Sequence, residues 1–332
     1  MKPTLALTIG DPAGIGPEIT LRALLLPELH QRAKLVAVGS LPVLQHAAEK
    51  LGITISFTDF GKGGDSFSTS VPLHQVGDLG ASDYTVGSVS ARTGQESADY
   101  VRAAAELSAR KLVDGIVTAP INKEALRDAG IKYPGHTEML GGFLDSHVET
   151  MFVVDKLRIF FLTRHLSLSN AIRAVTKESL LKLLAHVRSF LETLDVAEPV
   201  IAVAALNPHG GEGGLFGTEE MEQITPAVQE ARRRGWDVRG PIGADSVFHQ
   251  ALQGRYDAVI SLYHDQGHIA AKTYDFNRTV SVTTGLPTVR TSVDHGTALD
   301  IAGSWIADPT NMIEAIKVAA DLALRRRATT PA

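Results

Sequence analysis

The chain of 332 residues contains no cysteine. Disulfides, thiolate nucleophiles and sulfur-ligated zinc or iron are thereby excluded, and a bound metal must rely on His, Asp or Glu. Long apolar runs are also missing: none approaches the roughly 20 residues that a membrane span requires, so no membrane partner is expected. The apolar stretch ahead of Asp11 is too short for a secretory signal and has no small-residue cleavage site, which points to the cytoplasm. Nor is there a surplus of positive charge. The net charge is -5, and the one basic run, Arg325 to Arg327, reads as the last turn of a terminal helix, so no nucleic-acid surface is expected.

What is present is the composition of an ordinary globular protein, 44% hydrophobic and 21% charged. The chain exceeds the roughly 100 to 200 residues of one core, which predicts two lobes. Residues 1–125 with about 255–332 are expected to form one, and about 126–254 the other. Strand-like and helix-like segments alternate: Thr4 to Ile9, then a helix from Pro17; Lys34 to Val38, then a helix through Leu51; Asp114 to Thr118, then a helix from Asn122. That rhythm predicts an α/β fold with a largely parallel sheet covered by helices. Residues 61–90, rich in Gly, Ser, Asp and Thr, read as a long loop or an irregular excursion rather than a domain linker. Met151 to Asp155 and Leu157 to Thr163, joined at Lys156, read as a hairpin. Further helices are expected at about Lys177 to Leu194, Thr218 to Arg233 and Asn311 to Arg326, and strands at Val200 to Ala205 and Ala258 to Leu262. Leu180, Leu183, Leu184, Val187 and Phe190 recur at spacings of three and four, a core-facing stripe.

Several strings carry chemistry. Gly10-Asp-Pro-Ala-Gly14-Ile-Gly16-Pro lies where a strand turns into a helix, and either admits a ligand to the backbone or forms a tight turn capped by Pro17. It is no dinucleotide fingerprint, since Ile19 stands where the third glycine belongs, and no P-loop, since Lys-Ser/Thr does not follow. Of 12 histidines, His30, His46 and His186 sit inside helical segments and read as surface or packing residues. His165, His209 and His264 differ, because each follows directly on a strand-like run. Ligands in α/β sheets bind just beyond the carboxyl ends of strands, so these imidazoles are candidate ligands for a divalent metal, the alternative being hydrogen-bonded loop residues. Pro134-Gly-His136-Thr137-Glu138 either binds substrate or caps a helix. Lys272 and Arg290 are candidate anchors for an anion, or partners in structural ion pairs. The loop Asp294 to Gly303 reads as a polar, ligand-approaching segment that opens a short helix.

Together these strings resemble the 4-hydroxythreonine-4-phosphate dehydrogenase family of vitamin B6 biosynthesis. The resemblance runs from Gly10 nearly to the C-terminus, through Gly135-His-Thr-Glu138, Asn207-Pro-His-Gly-Gly-Glu-Gly213, Gly240-Pro with Ala244-Asp245, Tyr263-His-Asp-Gln-Gly267, Gly285-Leu-Pro287 and Arg290-Thr-Ser-Val-Asp-His-Gly-Thr-Ala298. It implies a two-lobed α/β/α sandwich similar to isocitrate and isopropylmalate dehydrogenases rather than a Rossmann fold. It also implies a homodimer, with a divalent cation (Zn, Co, Mn or Mg) held by His165 and His209 of one subunit and His264 of the partner subunit. Substrate contacts would be His136, Thr137, Lys272, Ser281 and Arg290. The loop carrying His295, Gly296, Thr297 and Ala298, with Asn311, would face NAD.

The implied reaction is NAD-linked oxidation, with decarboxylation, of 4-hydroxythreonine 4-phosphate to 3-amino-2-oxopropyl phosphate. Candidate proton acceptors are Lys272, Asp245 and Asp265. At one position the chain departs from the family pattern: Ser281 stands where the family has a substrate-contacting Asn. A serine is shorter and donates one proton rather than two, so the same chemistry on 4-phosphorylated threonate or erythronate, or on a carboxylated cis-dihydrodiol, is the alternative. A metal-dependent hydrolase or aldolase, or a phosphate-ligand sensor, would need no adenosine-facing loop.

Overall fold

A computed structural model of the chain describes residues 1–62 and 70–329. Its strands, in chain order, are β1 (Thr4–Thr8), β2 (Lys34–Gly39), β3 (Phe57–Asp59), β4 (Val71–Gln75), β5 (Gly115–Thr118), β6 (Glu149–Val154), β7 (Leu157–Phe161), β8 (Ile201–Ala204), β9 (Val238–Ile242), β10 (Ala258–Ser261), β11 (Val280–Thr284) and β12 (Val289–Ser292). Two compact units emerge: residues 1–148 with 280–324, and residues 149–279 with the chain from 325 onward.

In the first unit the strand order is β3-β4-β2-β1-β5-β12-β11, parallel except for the β12/β11 pair. Leu5, Ala6 and Leu7 of β1 are fully buried, as expected of a parallel strand covered on both faces. The helix Ala91–Ala109 starts at Ser90, whose side chain accepts hydrogen bonds from the Arg92 and Thr93 amides. Residues 61–90 do not form one continuous loop: Val71–Gln75 is β4, paired with β2 and β3, because Val71 and Leu73 alternate into the core. Residues 63–69 of that predicted loop lie outside the described residues.

The Gly10–Gly16 turn is packed against protein. A Cβ at Gly10 would lie 2.4 Å from the Pro120 carbonyl oxygen, at Gly14 2.8 Å from Thr297 Cβ, and at Gly16 2.3 Å from the Ile9 carbonyl oxygen. These glycines admit neighbouring chain, and the tight-turn reading describes them.

The second unit orders its strands β6-β7-β10-β8-β9. β6 and β7 form the expected antiparallel hairpin, while β7, β10 and β8 run parallel as neighbours. Phe152, Leu157, Ile159, Phe161, Val247 and Val259 belong to its core. Leu180, Leu183, Leu184 and Val187 of the helix Lys177–Glu192 are buried as the stripe predicts.

Three expectations need correction. The unit boundaries fall at 148/149 and 279/280 rather than near 125 and 255. The helix His136–Phe143 packs on Ala91–Ala109, whereas β10 pairs with β7 and β8 and carries His264 and Lys272 with it into the second unit. Residues 294–303 form turns and open no helix. The expected helix from Thr218 begins as a π-helical turn, Glu220–Ile224, before Thr225–Arg233; Pro226, in the first turn of that second stretch, has no amide proton to continue the regular pattern. No helix among the described residues is long and apolar enough to cross a membrane.

Candidate active site

The order β7-β10-β8 explains why three histidines far apart in sequence belong together. Parallel strands that are hydrogen-bonded neighbours end at the same sheet edge, about 5 Å apart. His165 follows β7, His264 follows β10 and His209 follows β8. The His165 and His264 ring centroids are 6.1 Å apart. Both line a pocket of about 320 Å³ with Arg164, Tyr263 and Asp265.

His264 is firmly placed. Its Nδ1 lies 2.6 Å from Asp265 Oδ1, so with the proton on Nδ1 the ring presents a free Nε2 lone pair. The His268 ring stacks on it at 3.6 Å and 13°. His268 Nδ1 is 2.8 Å from the His264 carbonyl oxygen, and burial pushes its pKa down to about 4, so this stacking partner is neutral at pH 7.

His209 is held differently. Residues 209 to 213 have φ of 54°, 66°, 81°, 45° and 64°, a left-handed turn in which His209 and Glu212 are the only residues with a Cβ. Each non-glycine residue there costs roughly 1–2 kcal/mol. The turn is anchored by Glu220, a buried carboxylate that accepts from the Leu206 amide (2.8 Å), the Asn207 amide (2.7 Å) and Asn207 Nδ2 (2.8 Å). Among the described residues no group of three or more His, Asp or Glu gathers tightly enough to hold a metal ion. The donors are the right chemistry for a divalent cation, and His264 is oriented for one, but a single chain does not close the set.

The candidate proton acceptors separate. Asp265 is engaged with His264. Asp245 is exposed in the first turn of the helix Ala244–Leu252 and does not line the His165–His264 pocket. Lys272 lies two turns beyond His264 on the helix His264–Tyr274, with Nζ 5.0 Å from the centre of the Phe276 ring.

In the first unit lie four of the five substrate candidates, His136, Thr137, Ser281 and Arg290, while Lys272 belongs to the second. The register pairs Thr283 with Arg290 and Ser281 with Ser292, so all four side chains share one face of the β11/β12 ladder. Arg290 is 2% exposed. It donates to Thr283 Oγ1 at 2.9 Å and Thr118 Oγ1 at 2.6 Å, and its Nε has no hydrogen-bond partner among the described residues. Thr118 passes its own proton to Ser292 Oγ at 2.9 Å. Thr137 Oγ1 is 3.5 Å from Thr283 Oγ1. His136 Nε2 is buried and unpartnered, and burial together with the Arg290 charge holds its pKa well below the ordinary histidine value. Burial lowers the Arg290 pKa to about 9, which the Glu138 carboxylate offsets only in part. Arg290 is thus a buried cation hydrogen-bonded to neutral hydroxyls, with donor capacity to spare. Thr118, Thr283 and Ser292 were not singled out from the sequence. The only signal was hydroxyl residues in otherwise apolar strands, which fits a pleated surface equally well.

The 294–311 segment divides by role. Asn311 is buried and its Oδ1 accepts from the Asp294 amide at 2.7 Å; Thr297 is buried, its carbonyl accepting from the Ile15 amide at 3.0 Å. These two shape the loop. Gly296 is exposed with no atom within 4 Å of where a Cβ would stand, and His295 and Ala298 are half-buried, Ala298 at φ 45°. The backbone at Gly296 is therefore open on its outer side.

The fold is a mixed α/β one whose neighbouring parallel strands lead into imidazoles in the second unit, with the buried guanidinium of Arg290 in the first. Residues 31–319 match the family described as pyridoxal phosphate biosynthetic protein PdxA. The chain belongs to that family and is a dehydrogenase. It is 48% identical over 329 residues (97% of this chain, 98% of the relative) to a Fusobacterium nucleatum protein with the provisional name D-threonate 4-phosphate dehydrogenase. A Halalkalibacterium halodurans protein of the same provisional name is 49% identical over 326 residues, covering 97% of each chain. Among solved structures, a 4-hydroxythreonine-4-phosphate dehydrogenase from Klebsiella pneumoniae superposes with a TM-score of 0.87 at 38% identity, covering 97% of this chain and 99% of that one.

Proposed function

We propose that this dehydrogenase oxidises a 4-phosphorylated dihydroxy acid of the D-threonate type, using NAD and a divalent cation. The observation that carries the reading is Arg290: a guanidinium 2% exposed, satisfied by hydroxyls and with an unused Nε, is arranged for a phosphate or carboxylate. Relatives at 48% and 49% identity carry the D-threonate 4-phosphate name, while the hydroxythreonine name belongs to a structure at 38%. That ordering favours the hydroxy acid over 4-hydroxythreonine 4-phosphate.

In this reading Arg290, with His136 and Thr137 beside it, binds the phosphate and fixes the substrate's orientation. Ser281, on the same face of the ladder, stands toward the part of the substrate where a hydroxyl replaces an amine. His165, His209 and His264 are the cation ligands, with Asp265 and His268 setting the His264 ring. Because one chain closes no set of three, the ligands are proposed to come from two subunits of a homodimer. The loop at His295, Gly296 and Ala298 receives the adenosine part of NAD, shaped by Thr297 and Asn311. When bound, the nicotinamide supplies the hydride acceptor and the cation supplies Lewis acidity. Lys272, Asp245 and Asp265 stay the candidates to exchange the C3 hydroxyl proton; Asp265 alone of the three lines the His165–His264 pocket, and it is engaged with His264. Oxidation at C3 leaves a carboxylate β to a ketone, which loses carbon dioxide. The product is dihydroxyacetone phosphate where C2 bears a hydroxyl, and 3-amino-2-oxopropyl phosphate where it bears an amine.

The test is reduced-nicotinamide absorbance with NAD, a divalent cation and, in turn, D-threonate 4-phosphate, D-erythronate 4-phosphate, 4-hydroxythreonine 4-phosphate and a carboxylated cis-dihydrodiol. The highest kcat/KM is expected for D-threonate 4-phosphate; a higher value for the amino substrate would reverse the assignment. Mixing His165→Ala with His264→Ala protein tests the shared site. Recovery of activity on subunit exchange is expected, and its absence in exchanged dimers argues for ligands from a single chain.

A further inference from the structure

We infer that Gln266 is a positioning residue for all three candidate metal-ligating histidines, an assignment that rests on the cation reading above. The side chain is 8% exposed and lies between two strand ends. Its Oε1 accepts from the Leu262 amide at 2.7 Å, and its Nε2 donates to the Ala205 carbonyl at 2.8 Å. Leu262 directly follows β10 and precedes His264 by two residues; Ala205 directly follows β8 and leads to His209. The Leu262 carbonyl in turn accepts from Thr163 Oγ1 at 2.8 Å, and Thr163 precedes His165 by two residues. One unbroken sequence of hydrogen bonds therefore runs from the end of β7, through the end of β10 and Gln266, to the end of β8.

The three strands have stopped pairing as a regular ladder at this edge, so without that sequence the Leu262 amide and the Ala205 carbonyl would be buried and unsatisfied. A glutamine suits the position because it must accept at one end and donate at the other, which neither glutamate nor methionine does. The next residue keeps it close: a Cβ on Gly267 would lie 2.5 Å from Phe161 Cε1 and 2.9 Å from Ile159 Cγ2, so the helix His264–Tyr274 rests directly on the sheet. Gln266 itself presents no group to the pocket that His165 and His264 line. It acts by setting where the three loops begin.

The experiment is titration of the metal-free, full-length protein with Co(II), following the visible ligand-field bands, in wild type, Gln266→Met, Gln266→Glu and Tyr256→Phe. The last is a control that removes one half-buried hydrogen bond of the same unit, Tyr256 Oη to Gln250 Oε1 at 2.7 Å, away from the strand ends. Gln266→Met is expected to weaken Co(II) binding roughly 10- to 100-fold with altered bands. Gln266→Glu, which keeps the Leu262 contact but sets a carboxylate oxygen against the Ala205 carbonyl, should weaken it as well, and Tyr256→Phe should bind as wild type does. If Gln266→Met does not fold, Gln266→Glu decides. Wild-type affinity and spectra in the folded Gln266 variants would overturn the positioning role and leave the cation reading standing. Absence of Co(II) binding by the wild-type protein would instead overturn the cation reading itself.

Discussion

Arg290 in the first unit is 2% exposed and ringed by hydroxyls, whereas His165 and His209 in the second unit lie exposed on loops. Arg290 is already desolvated and hydrogen-bonded in the free chain. His264 is oriented through Asp265 and His268, but among the described residues the imidazole set is not closed. A prebuilt charge costs the free protein stability and offers immediate recognition of a phosphate. An open ligand set costs little and assembles only when further ligands or an ion arrive.

The comparison can be broken most decisively at Arg290. Arg290→Met is expected to lower kcat/KM for a phosphorylated substrate by about a thousandfold, while raising stability to denaturant by about 1–3 kcal/mol, because the uncompensated buried charge is gone. Lower stability in the variant would show that the hydroxyl ring fully compensates the charge. The pH dependence follows from the lowered pKa. Below about 9, Arg290 is charged in both folded and unfolded chains and its desolvation opposes folding. Above about 9 the folded state sheds the proton while the unfolded state, with its ordinary arginine pKa, still keeps it, so stability rises there. Denaturation of wild type and Arg290→Met at pH 7 and pH 10 should show the gap between them narrowing at the higher pH.

The second unit is probed next by His209→Gly. Metal affinity should fall by about 100-fold, and the folded protein should gain about 1 kcal/mol, because glycine accepts the left-handed φ of 54° without strain. Equal loss of affinity and stability would mean the turn carries no strain. A smaller effect is expected for Thr118→Val, which takes one hydroxyl from Arg290: about a tenfold rise in KM with kcat kept, and recovery in Thr118→Ser. The smallest separates structure from chemistry. Thr176 closes a capping box with Ser179 at the start of the helix Lys177–Glu192, so Thr176→Ala should cost about 1 kcal/mol by thermal unfolding and leave turnover unchanged.

Much of the fold was legible because periodicity reports burial. The apolar run at Thr4, the hairpin at Lys156 and the stripe from Leu180 each appear where the pattern places them. The position type of the histidines was legible for a related reason: a chain leaving a buried parallel strand turns abruptly polar, and His165, His209 and His264 each stand at such a change. The glycines of Gly10–Gly16 were ambiguous, since a residue without Cβ admits a ligand or a neighbouring chain equally well, and here the neighbours are Pro120 and Thr297. The unit boundary was misread because β10 continues the alternating rhythm locally, while its hydrogen-bonding partners are β7 and β8.

By itself the sequence determined the elements, the absence of thiol chemistry, and the three imidazoles placed just after strands. Those depend on residue type and local period, which the chain carries at every point. Only the tertiary structure decided that Arg290 is a buried cation with no carboxylate in hydrogen-bonding contact among the described residues, that Thr118 and Ser292, 174 residues apart, share its hydroxyl network, and that Gln266 ties the strand ends together. Those depend on which strands become neighbours. Strand pairing is a long-range choice settled by the burial of whole faces, so no local stretch of sequence contains it.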